Sequence, residues 1–185
     1  MSSATRPTAP HSSPANLEIV PIGRAHLAGF HGALDSVAKE RRYLPMLEAP
    51  SLMRTRRIVL DSLQAGAVHV VALAAGDVVG WCDLRPKSAP TLQHSAVLGM
   101  GIVAAWRGHG IGSRLLAATL DLALARGIRR AELIVRSDNA AAIRLYRRFG
   151  FTVEGTCVRY MCVDGIDYDA LLMARLDPGI AESGR

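Results

Sequence analysis

The stretch from Ser95 to Arg126 constrains the fold more than any other part of the chain. Ser95 to Val103 is an apolar run that reads as a strand, with Gly99 and Gly101 inside it. Glycine inside a strand marks a bulge or a close approach by another backbone or a ligand. Arg107-Gly108-His109-Gly110-Ile111-Gly112 follows. Gly110 to Arg126 then carries an apolar stripe at Ile111, Leu115, Leu116, Thr119, Leu122 and Ala123, with Gly127 closing the helix. Strand, glycine turn and helix in that order demand a layered fold of sheet and helices. A helix N-terminus presents free N–H groups and a partial positive charge, so it receives phosphate. Glycines at 108, 110 and 112 remove β-carbons that would hold a pyrophosphate off those amides. Arg107 and Arg114 add charge that can pair with phosphate oxygens. A P-loop is excluded, because Ser113-Arg114 stands where Lys-Ser or Lys-Thr is needed. The dinucleotide fingerprint is excluded by the missing third glycine at its offset and by the antiparallel-looking strands that precede the turn. What remains is either Arg-x-x-Gly-x-Gly as a pyrophosphate cradle or a plain glycine-rich turn.

Around this segment the pattern is β-α-α-β-β-β-α-β-α-β-β. Leu17 to Val20 suits a strand, and Ala25 to Arg42 a helix with Leu27, Phe30, Leu34 and Val37 on one face. Ser51 caps a second helix that runs to about Ala65 and stops at Gly66. Val68 to Ala74 and Val78 to Leu84 are strands joined at Gly76-Asp77, and Pro86 to Pro90 is a loop. Ala131 to Val135 is a strand, and Ser137-Asp138-Asn139 caps an Ala-rich helix ending at Phe149-Gly150. Phe151 to Val163 and Tyr168 to Leu176 form a hairpin across Asp164-Gly165. With 185 residues the chain fits one domain, assigned to 15–178. The Ser/Thr/Pro-rich residues 1–14 read as a disordered tail, and 179–185 as a flexible one.

A hydrophobic share of 50% and a charged share of 21% exclude disordered and fibrous classes. The net charge of +6 favours an anionic partner. Because the charge is spread along the chain, a small phosphorylated cofactor is expected rather than nucleic acid. Cys82, Cys157 and Cys162 lack the spacing of a disulfide framework or a zinc site, and His26 and His31 lack that of a helical metal site, so no metal is expected. The cysteines read as small buried hydrophobes in a reducing compartment. No apolar stretch is long enough for a membrane span and the first residues lack a signal-like apolar segment, so the expectation is a cytoplasmic protein without a membrane partner.

Two motifs resemble those of the GNAT superfamily of N-acetyltransferases. One is Leu98-Gly99-Met100-Gly101-Ile102 with Trp106 and then Arg107 to Gly112. The other is Ser137 to Tyr146, followed by Phe149-Gly150-Phe151. The resemblance covers most of the chain and is strongest from Leu98 to Leu176. It implies an α/β (α+β) fold: a mixed, mostly antiparallel seven-stranded sheet flanked by about four helices, with the fourth and fifth strands splayed. It implies acetyl-CoA as co-substrate, with the pantetheine arm lying along Met100, Gly101 and Ile102 and the pyrophosphate on Arg107, Gly108, His109, Gly110, Ile111, Gly112, Ser113 and Arg114. Asn139 would reach the pantetheine side, or serve as a helix N-cap, or both. Tyr146 would protonate the departing thiolate, the alternative being an aromatic that packs on the sheet. The amide of Ile102, or one close to it, would stabilise the oxyanion. For the base, relatives that acetylate ribosomal protein N-termini carry a Glu where Ile134 stands, with Glu132 two residues before it. Glu40 and Asp83 are the other candidates, each with a plain surface carboxylate as the alternative. The acceptor implied is a primary amine of a small molecule, amino acid or peptide, and the apolar final strands could pair in a homodimer. The competing reading is a non-catalytic acyl-CoA-binding regulatory module.

Overall fold

The structure, a computed structural model, describes residues 16–177. The tails assigned to 1–14 and 179–185 lie outside that range, as does the domain's end at 178. One seven-stranded sheet runs through the chain in the order β1-β2-β3-β4-β5-β7-β6. Its strands are β1 Leu17–Pro21, β2 Val68–Ala74, β3 Asp77–Pro86, β4 Ser95–Ile102, β5 Arg130–Arg136, β6 Thr152–Val163 and β7 Ile166–Leu176. The helices are α1 Leu27–Ala38, α2 Leu52–Gln64, α3 Ile111–Leu124 and α4 Ala140–Arg148. Every strand pair is antiparallel except β4 with β5. That parallel pair is held only at Ser95, Ala96 and Val97 against Arg130, Ala131 and Glu132. Beyond them the strands part, leaving the edge of β4 from Leu98 to Ile102 without a partner strand on that side.

Two cores form because residues alternate across the pleat. Leu84, Leu115, Leu116, Leu133 and Met173 anchor the core under α3 and α4. Phe30, Val37, Val59, Val71 and Trp81 anchor the core under α1 and α2. Leu115 and Leu116 are fully buried, each contributing about 1.5–3 kcal/mol.

Several local expectations shift. The first helix starts with a 3-10 turn at Arg24–His26 and ends at Ala38, because Arg41 takes a left-handed φ of 55° that a helix cannot continue through. On α3 the buried stripe includes Leu120, whereas Leu122 faces outward. Cys82 is buried, but Cys162 is exposed and Cys157 only half-buried, which corrects the reading of all three as core residues. Ser51 caps α2 by accepting from the Arg54 amide. Asp164 and Gly165 both have positive φ, the geometry of a tight hairpin turn.

Candidate active site

Residues Gly99 and Met100 sit next to each other on the splayed half of β4, so a β-carbon at 99 and the Met100 side chain face opposite sides of the sheet. On the α4 face, the Tyr146 hydroxyl lies 3.9 Å from the Met100 Sδ. Tyr146 is buried, with its ring tilted against Phe151. Burial holds the phenol well above its ordinary range, so it is a neutral proton carrier near neutral pH. On the other face, Asp83 of β3 is the register partner of Gly99. A β-carbon at 99 would come within 2.8 Å of the Asp83 Oδ1. The carboxylate thus occupies the space a side chain at 99 would need. Burial pushes the Asp83 carboxyl up to about 6, opposed by Arg85, whose Nε lies 2.9 Å from Oδ2.

Gly101 has a related cause. A β-carbon there would meet the Trp81 indole at 2.2 Å. The strand glycines were expected to mark a bulge or a close approach, with the pantetheine arm as the resemblance's reason for the one beside Ile102. Within the chain itself they admit the side chains of Asp83 and Trp81.

At the cradle, Gly108 and Gly110 have φ of 82° and 76°, conformations glycine adopts without strain. Gly110 is the N-cap of α3, and its carbonyl accepts from the amides of Ser113 and Arg114. The amides of His109, Gly110, Ile111 and Gly112 make no backbone bond among the described residues, leaving donors at the positive end of the helix. Gly112 differs from the other two. A β-carbon there would press on Leu145 at 3.0 Å and on Ile102 and Met100, so this glycine lets α3 pack closely on α4 and β4. His109 is exposed and edge-on to Trp106.

The arginines are already engaged. Arg107 donates from Nε to the Ile102 carbonyl at 2.9 Å and from both terminal nitrogens to Glu40, at 2.7 and 2.5 Å, with its guanidinium over the Tyr43 ring. Arg114 donates to the Leu17 carbonyl at 2.7 Å, tying α3 to β1. The cation that does reach the first turn of α3 is Arg148, 3.1 Å from the Ser113 Oγ. It comes from the last turn of α4, and no signal around the glycines points to it. Asn139 caps α4 by accepting from the Ala142 amide at 3.2 Å.

Glu132 lies at the closed end of the splay, bound to Lys87 and Arg130, while Ile134 is exposed further along. At the open end, Arg136 is buried, stacks 3.6 Å over the Tyr168 ring and pairs with Asp138. Arg42 lies close enough to lower the Asp138 carboxyl further, after Arg136 itself. The Cys82 thiol is pushed up to about 12 by burial, which makes it a poor nucleophile. Among the described residues no group of His, Cys, Asp and Glu could hold a metal ion, and no helix is long and apolar enough to cross a membrane.

Residues 32–151 match the model of the Acetyltransferase (GNAT) family. Over 112 residues the chain is 34% identical to the L-amino acid N-acetyltransferase AaaT of Escherichia coli (strain K12), which spans 60% of this chain and 69% of that protein. Over 100 residues it is 39% identical to the N-alpha-acetyltransferase RimI of Mycobacterium tuberculosis (strain ATCC 25618 / H37Rv), spanning 54% of this chain and 61% of that one. Among solved structures, yncA of Salmonella typhimurium, a putative acetyltransferase with its cofactor acetyl-CoA, superposes with a TM-score of 0.83 at 20% identity. That likeness covers 91% of this chain and 99% of the other, and shows a shared fold.

Proposed function

The chain belongs to the acetyltransferase (GNAT) family and is an acetyl-CoA-dependent acetyltransferase, and from that premise we propose that it moves acetyl directly to the primary amine of an amino acid, another small molecule or a peptide within a ternary complex. One observation carries the proposal. Tyr146 and Asp83 flank the neighbouring residues Met100 and Gly99 from opposite faces of β4, where that strand loses its partner. Acetyl-CoA, when bound, supplies an acyl group activated as a thioester. The free amides at the start of α3 and the open edge of β4 suit its pyrophosphate and its pantetheine arm.

Asp83 takes the proton that the acceptor nitrogen sheds as it bonds to the acyl carbon. Tyr146 gives its phenolic proton to the sulfur as the carbon–sulfur bond breaks. One proton leaves the amine and one reaches the thiol. Exchange with solvent then returns Asp83 to carboxylate and Tyr146 to phenol. An amide at or beside Ile102 donates to the oxyanion. Glu40 is less suited to the base role, since both its oxygens are held by Arg107. Asn139 combines its cap with a contact to the pantetheine side. At the open end of the splay, Arg42 and Arg136 favour an acceptor with a carboxylate beside its amine.

Thiol release across a panel of amino acids, simple amines and peptide N-termini tests this. Release stimulated by free amino acids, and less by amines lacking the carboxylate, is expected. Binding of acetyl-CoA with no stimulation by any acceptor would leave only an acyl-CoA-binding module.

A further inference from the structure

His69 of β2 is the register partner of Asp83, so the two side chains stand on the same face of the sheet. Its backbone carbonyl accepts from the Ile22 amide, which fixes the strand there. Its ring lies edge-on to Phe30, with centroids 4.8 Å apart. The imidazole is buried, and its Nε2 is the one buried side-chain nitrogen or oxygen without a hydrogen-bond partner among the described residues. Buried polar atoms are rarely left unpaired, because losing water without a replacement bond costs about 1–3 kcal/mol. A phenylalanine or leucine would fill the same space without that cost. The arrangement therefore calls for a partner that the ring can reach.

We propose that His69 is a positioning residue for Asp83: its Nε2–H donates to the Asp83 carboxylate through one buried water, and so holds the base ionised. This rests on the reading of Asp83 as the base. The chemistry around the pair supports it. Arg85 is the charged group that faces both, binding Asp83 at 2.9 Å and acting on His69 through its charge. From α1, Phe30 meets the His69 ring, and Phe30 belongs to the apolar core that Ala33 and Val37, with Val59 of α2, also form. On β4 the facing residue is Gly99, without a side chain. Cys82, next to Asp83 on β3, faces the other side of the sheet and is neutral. Burial lowers the imidazole to about 4, so at neutral pH it carries no charge and one N–H, which can be donated from Nε2. Among the described residues, Arg85 is the charged group that stabilises the carboxylate.

The test reads Asp83 itself, by following its carboxyl carbon resonance against pH in the full chain and in His69→Phe and His69→Gln. Phenylalanine preserves the packing on Phe30 but cannot donate. Glutamine restores an N–H at similar reach. The expected result is an Asp83 titration moved up by about one pH unit in His69→Phe and returned most of the way in His69→Gln, since one charge-assisted hydrogen bond is worth about one such unit. An unmoved titration in a folded His69→Phe would overturn the proposal. Should that variant fail to fold, the imidazole nitrogen resonances of the wild type decide it. Protonation at Nε2 is expected, and protonation at Nδ1 would overturn it. The base reading fails separately: Asp83→Asn would keep full turnover while the Asp83 resonance still answered to His69.

Discussion

The two faces of β4 were assembled in different ways. On the face that meets Tyr146, the residues that carry the motifs, from Leu98 through α3 to Phe151, lie in one continuous stretch, over a core that β1, β2, β3 and β7 complete. The face that meets Asp83 draws on Phe30, His69, Trp81, Asp83 and Gly99, spread over three strands and a helix. A contiguous stretch leaves a motif that spacing can reveal. A site gathered from distant strands leaves no motif, because cross-strand register decides which side chains meet. The comparison also separates two uses of glycine. Gly108 and Gly110 are needed for their backbone angles, with open space where a β-carbon would be. Gly99 and Gly101 are needed because a neighbour already fills that space.

The largest expected effect lies on the Tyr146 face. Tyr146→Phe should lower turnover by about 10²–10³-fold with the cofactor dissociation constant nearly unchanged, the pattern for loss of a general acid. Steady-state kinetics with direct binding checks it, and a loss of binding instead would return Tyr146 to packing. On the opposite face, Asp83→Asn should lower turnover by about 10²-fold and yet stabilise the fold. Burial raises the Asp83 carboxyl from 3.8 to about 6, so the fold prefers it protonated. The stability this gives is full below the ordinary carboxylate range and is lost as pH rises through about 6. Asparagine should therefore gain about 2–3 kcal/mol at pH 7, read by denaturant unfolding, and little below pH 4.

The two kinds of glycine should respond differently to an added methyl group. Gly101→Ala should cost about 3 kcal/mol, because the new methyl meets the Trp81 indole at 2.2 Å and one side must move. Gly110→Ala should cost only about 1–2 kcal/mol, from its left-handed φ of 76°, and should weaken acetyl-CoA binding. Thermal unfolding of both, with calorimetric binding for the second, would show whether the two kinds of glycine differ as described. The smallest effect is that of Asn139→Ala, about 1 kcal/mol from the lost cap on α4.

Much of the fold was legible from the sequence. Apolar and β-branched runs between turn residues located the strands, and Ser51, Asn139 and Gly110 marked helix starts that the structure has within a residue. The splay between β4 and β5 came from the resemblance, and the register confirms it. The charged residues were harder to read. Arg107 and Arg114 look free in a linear motif, yet one is spent on Glu40 and Ile102 and the other on Leu17. Long side chains find partners far away in sequence, and spacing carries no record of them. Arg148 and His69 escaped notice for the same reason, since each matters through a neighbour on another element.

In this mechanism a base and an acid work from opposite faces of β4. The pH dependence of kcat/KM, expressed per unprotonated acceptor amine, tests it most directly in wild type and Asp83→Asn. A fall is expected in the wild type below about pH 6, where Asp83 protonates, and a low, flat profile in the variant. A fall at the same pH in Asp83→Asn would contradict it, for the titrating base would then lie elsewhere.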